Sequence, residues 1–127
     1  MTTKQPTPKH KIKKQGWKEK NPSVIPLEIQ NSLHIAMRSE KISAGEYRDL
    51  LWIMAQESGG IVNARSQEGS SARGLFQLLR MHYVLNPHGE KSFGNAIEEC
   101  QGGIRYIRER YRSAAKAKQF WQSHHWY

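Results

Sequence analysis

The chain has one cysteine, Cys100, in 127 residues. That excludes an internal disulfide and any zinc site assembled from cysteine pairs. There is no uninterrupted apolar run of about 18 residues, the length a membrane-spanning helix requires. The lysine-rich start of the sequence has no apolar stretch of the signal-peptide kind, so the expectation is a chain made in the cytoplasm and delivered by a route other than general secretion. Acids are scarce: 11 Asp plus Glu stand against 20 Lys plus Arg, for a formal charge of +9. Such a surplus attracts polyanions, whether nucleic acid, acidic wall polymer or anionic membrane, without choosing among them. No recognised nucleic-acid-binding motif accompanies the charge, so nucleic acid is not the expected partner.

Four Trp, five Tyr and three Phe supply material for one core of ordinary size. The cations are unevenly spread. Residues 1–23, "MTTKQPTPKHKIKKQGWKEKNPS", hold seven Lys, one Glu and three of the five prolines, with only Ile12 and Trp17 able to be buried. They read as a basic, extended arm, either solvated or docked on a partner with Trp17 as its anchor. A folded domain is expected over 24–127.

That domain reads as mainly α. Ile25, Ile29, Leu33 and Met37 recur at four-residue spacing, with Pro26 suited to the first turn of a helix. Ser43 and Glu46 in "SAGE" have the spacing of a capping box, and Tyr47, Leu50, Leu51 and Met54 carry a second helix to about Ser58, stopped by Gly59 and Gly60. Residues 61–74 read as loop with a short hairpin, and "GLFQLLRMHYVL" as one or two helical turns. Asn95 and Glu98 open a third helix whose apolar stripe is Ile97, Cys100, Ile104, Ile107 and Tyr111. A short final helix covers about 113–123.

Four stretches carry candidate chemistry. Glu57 closes the second helix, at the end where backbone carbonyls disfavour an ionised carboxylate. That setting suits a proton donor, and the following glycine pair leaves room for a bulky substrate, although a surface glutamate at a fraying end has the same pattern. In "GLFQL", Gly74 permits close backbone approach to a ligand, and Gln77 offers an amide in an apolar run, either to an acetamido group or to the backbone. Gly102 and Gly103 inside the third helix cost roughly 1 kcal/mol each relative to alanine, which implies close approach by another helix or by a ligand. The C-terminal "QFWQSHHWY" offers aromatic faces for sugars, or else closes the core. His124 and His125 lack a second ligand pair at helical spacing, so neither a metal nor any other cofactor is expected.

Taken in order, Glu57-Ser58 with two glycines, then Ala64, Ser66, Gly69 and "GLFQL", then "GGIRYIRERY", resemble the soluble-type lytic transglycosylase domain. "GLFQLL" and "QFWQSHHWY" are most similar to its small aggregation-promoting-factor-like branch, and the resemblance spans about 40–127. It implies a lysozyme-like (goose-lysozyme-like) fold and cleavage of the β-1,4 bond between N-acetylmuramic acid and N-acetylglucosamine in peptidoglycan. Glu57 matches the single catalytic acid, with Ser66, Gln77 and Tyr106 on positions that contact substrate. The family's Ala-Tyr-Asn-Ala-Gly motif is absent; Phe120-Trp121-Gln122 stands roughly where its Tyr-Asn lies, placing Trp121 and Gln122 among the substrate contacts. Arg80 replaces the proline common after the glutamine motif.

In that family Glu57 would protonate the glycosidic oxygen, and the 2-acetamido oxygen would stabilise the cationic carbon. The sugar's C6 hydroxyl would then close a 1,6-anhydro ring. The expected setting is a phage virion-associated enzyme for local wall opening, with residues 1–23 available to bind other virion proteins. Two alternatives stay open: a muramidase or endolysin that hydrolyses the same bond, with Glu68 as the second acid, and a non-catalytic virion subunit that keeps the fold.

Overall fold

The computed structural model describes residues 17–127; of the arm expected over residues 1–23, residues 1–16 lie outside the described residues. The chain is mainly helical. Four α-helices carry it: α1 (Leu27–Ser39), α2 (Tyr47–Glu57), α3 (Ala96–Tyr111) and α4 (Ala114–His124), joined by short 3₁₀ turns. No helix among the described residues is long and apolar enough to cross a membrane. Helix α1 packs mainly on α3, and α2 on α4. Between them lies a core of Leu33, Leu50, Ile53, Met54, Leu75, Phe76, Ile104 and Trp121, each 0–1 % exposed.

Most helix ends follow from local chemistry. Pro26 precedes α1. The Asn95 side chain accepts the Glu98 N–H at 3.0 Å and starts α3 as its spacing predicts. Helix α2 stops in a left-handed cap: Gly59 has φ +65° and its N–H reaches the Ala55 carbonyl at 3.1 Å. Gly60, at φ +82°, has a separate reason, because a Cβ there would lie 3.0–3.1 Å from Pro26 and Ile25. The room beside Gly60 is therefore filled by the chain itself, not kept for a substrate.

The "SAGE" capping box does not form. Ser43 accepts the Gly45 N–H at 3.3 Å and starts a 3₁₀ turn, Ala44–Glu46, ahead of α2. Glu46 instead accepts the Ala114 N–H at 2.8 Å, satisfying an amide at the start of α4 that has no partner within the helix. Spacing alone could not show that an acid 68 residues distant in sequence from Ala114 is the better match.

The folded unit also begins before the boundary expected at residue 24. Gln56 on α2 accepts the Lys20 N–H at 2.9 Å and donates to the Lys20 carbonyl at 2.8 Å, the pairing a neighbouring strand would make. The Trp52 indole donates to Glu19 at 2.8 Å. Residues 17–20 therefore form a strap along α2.

The glycine pair in α3 is explained by close packing. A Cβ on Gly103 would fall 2.3 Å from the Phe76 ring, and one on Gly102 would fall 1.6 Å from the Asn86 side-chain oxygen. The element that approaches is the "GLFQL" loop and its continuation, not another helix or a ligand.

Candidate functional site

Glu57 is the last residue of α2 and is half-buried. It borders a cleft of about 430 Å³ whose lining includes Lys20, Gln56, Ile61, Arg65, Ser66, Glu68 and Gln77. The Trp121 indole donates to Glu57 Oε2 at 2.5 Å. A carboxylate at a helix C-terminus has the carbonyl ends of the helix against it, so a donor fixed by the core is what holds it in one place. Ser58 turns inward: its hydroxyl accepts the Gly60 N–H at 3.1 Å and thereby shapes the cap.

The opposite part of the lining comes from residues 61–78. Arg73 pairs with both Arg65 and Leu78 as isolated antiparallel bridges, and Gly74 N–H meets the Ala64 carbonyl at 2.8 Å. The short hairpin read from the sequence is thus a pair of bridges. Ser66 lines the cleft and its hydroxyl accepts the Glu68 N–H at 3.2 Å.

Gln77 is 5 % exposed and has φ +52°, a left-handed conformation that is costly for a residue with a Cβ. Its side-chain amide donates to the carbonyls of Ala64 and Gly74 at 3.0 and 2.9 Å. Both N–H donors are therefore spent on backbone. The Gln77 side-chain oxygen accepts no hydrogen bond among the described residues, and it is the part of this amide available to a ligand N–H. Gly74, at φ +87°, serves packing: a Cβ there would meet the Phe93 ring at 2.8 Å and Glu99 at 2.9 Å.

Glu99, which sequence reasoning missed, holds this lining in place. It is 2 % exposed and accepts the N–H groups of Asn63 (2.9 Å), Leu75 (2.7 Å) and Gly94 (2.7 Å). Burial raises its pKa, opposed by those three amides and by Arg73. The signal was present, since Glu99 precedes Gly103 by four residues and so shares its inward face.

Three expected contacts fall elsewhere. Trp121 is fully buried and directs its N–H at Glu57, so it offers no stacking face to a sugar; it orients the acid. Tyr106 is 2 % exposed and sits in an aromatic group with His82, Tyr111 and Tyr127 that does not line the cleft. Burial pushes its phenol up to about 12, with the Glu57 charge adding to the rise and Arg110 opposing it. Tyr111 and Tyr127 are raised as well, burial again being the main cause. These phenols stay neutral near pH 7. Gln122 is exposed on α4 and outside the cleft lining. Conversely, Lys20, Gln56, Ile61 and Arg65 line the cleft without having been singled out.

No group of three or more His, Cys, Asp or Glu among the described residues could hold a metal ion. Family models, curated proteins and solved structures give no match to this chain.

Proposed function

We propose that the protein is a lysozyme-like lytic transglycosylase that cleaves peptidoglycan glycan strands, with Glu57 as its acid. The observation that carries this reading is the joint placement of Glu57, Ser66 and Gln77 on one cleft of about 430 Å³. These residues come from two separate parts of the chain, and each belongs to one of the sequence motifs described above. A volume of that order accommodates sugar rings. Trp121 fixes the carboxyl group, and a positioned acid is what protonation of a glycosidic oxygen requires. The Gln77 side-chain oxygen is suited to accept the N–H of a 2-acetamido group, whose own carbonyl oxygen would shield the cationic carbon. Glu57 would then take the C6 hydroxyl proton as the 1,6-anhydro ring closes.

Hydrolysis is the second reading, because Glu68 lines the same cleft and could activate water. Digestion of purified sacculi in heavy-oxygen water separates the two. Anhydromuropeptides without label are expected; labelled reducing ends would convert the assignment to muramidase. Glu57→Gln should cut turnover at least about a hundredfold with the fold intact, since an amide cannot supply the proton. Activity retained in that variant would remove Glu57 from the mechanism.

A further inference from the structure

We propose that Trp17 is a positioning residue for Glu57, so that the strap preceding α1 is part of the catalytic site. The inference rests on the function proposed above. The Trp121 indole carries the hydrogen bond to Glu57, and its orientation depends on what covers its faces and edges. Trp52 meets it edge-on, with centroids 5.6 Å apart at 90°. Trp17 covers it from the strap side, at 5.0 Å and 49°, and also lies on the His125 ring at 4.2 Å and 32°. Trp17 is therefore wedged between α4 and the turn that follows it.

Trp17 is held in place by the strap's own bonds. Gln56 pairs with both backbone groups of Lys20, and Glu19 accepts from Trp52. Gln56 adjoins Glu57 in sequence, so the last turn of α2 grips the strap with one residue and presents the acid with the next. Lys20 then continues into the lining of the cleft. No substrate contact by Trp17 is required: its effect passes through Trp121 to the carboxyl group. These aromatic contacts are small against the whole fold, but they bear directly on one side chain.

Trp17→Ala in the full-length chain should leave the helical content intact. It should lower kcat about ten- to a hundredfold with KM changed little, because misplacement of a reacting group affects the chemical step. Trp17→Phe, which keeps a ring on Trp121, should restore most of the loss. The Trp121 indole N–H, identified by its disappearance from the NMR spectrum of Trp121→Phe, should exchange with solvent faster in Trp17→Ala. If Trp17→Ala does not fold, Glu19→Ala, which releases the strap at an exposed acid, should show the same indole change. A Trp121 N–H and a kcat both like wild type in a folded Trp17→Ala protein would overturn the proposal. Should the wild-type chain release no glycan at all, the functional reading fails, and the indole exchange still decides whether Trp17 holds Trp121.

Discussion

Gly103→Ala tests whether the α3 glycines exist to admit the "GLFQL" loop. The new Cβ would lie 2.3 Å from two atoms of the Phe76 ring and 2.7 Å from its Cβ. Carbon atoms prefer about 3.5–4.0 Å, so the ring or the helix must move by roughly 1 Å or more. Phe76 is 1 % exposed, and its carbonyl accepts the buried Tyr127 hydroxyl at 2.7 Å, so the loop has little freedom to retreat. Overpacking costs about 1–3 kcal/mol, and an approach of 2.3 Å belongs in the upper half of that range, about 2–3 kcal/mol, while replacing a helical glycine by alanine returns about 1 kcal/mol. The net expectation is a loss of about 1–2 kcal/mol, or a fall in Tm of roughly 4–8 °C for a chain of this size. Urea unfolding at neutral pH measures it. Combining Gly103→Ala with Phe76→Leu should cost less than the sum of the two single changes, because the smaller side chain relieves the clash. A Gly103→Ala protein as stable as wild type, with Phe76 unchanged, would show that the close approach is not what the glycine serves.

Two further outcomes follow from other parts of the molecule. Glu40 is bound by Arg105 at 2.9 Å and Arg108 at 3.1 Å, and the Arg105 hydrogen bond is the main reason its carboxyl sits below the ordinary carboxylate range. A depressed folded-state pKa stabilises above the unfolded value of about 4.3 and stops doing so as pH falls through the folded value. Glu40→Gln should therefore cost about 1–3 kcal/mol at pH 7, with the gap to wild type closing in acid; a constant gap would refute the linkage. Ile61 is 63 % exposed on the lining of the cleft, where folding gives it nothing to bury against. Ile61→Ser should leave stability within about 0.5 kcal/mol and raise KM for glycan strands. An unchanged KM would remove it from the binding surface.

The helical character was legible because each helix buries one stripe, and because the stops at Gly59 and the start at Asn95 rest on neighbours in sequence. Glu57 and Gln77 were legible as candidates for the same reason: an acid at a helix end and an amide in an apolar run are local anomalies. What holds them was not. Trp121 lies 64 residues from Glu57, Glu46 lies 68 from Ala114, and Lys20 lies 36 from Gln56. Nothing in the composition of the C-terminal aromatics distinguishes a sugar platform from a buried orienting group, since both need a large flat ring with a polar edge. The strap reads as part of the arm because Lys18 and Lys20 continue the run of lysines that precedes them, whereas its docking depends on two partners on α2, Gln56 and Trp52.

The three amides gathered by Glu99 belong to residues 63, 75 and 94, and the carboxylate that accepts them sits in the first turn of α3. None of the three has this acceptor until α3 has formed and reached the loops. Closing a span of 36 residues, from Asn63 to Glu99, costs entropy that local turns cannot repay in advance. The loops at Asn63, Leu75 and Gly94 are therefore tied together only once α3 is in place, and through that one carboxylate their amides should exchange with solvent together.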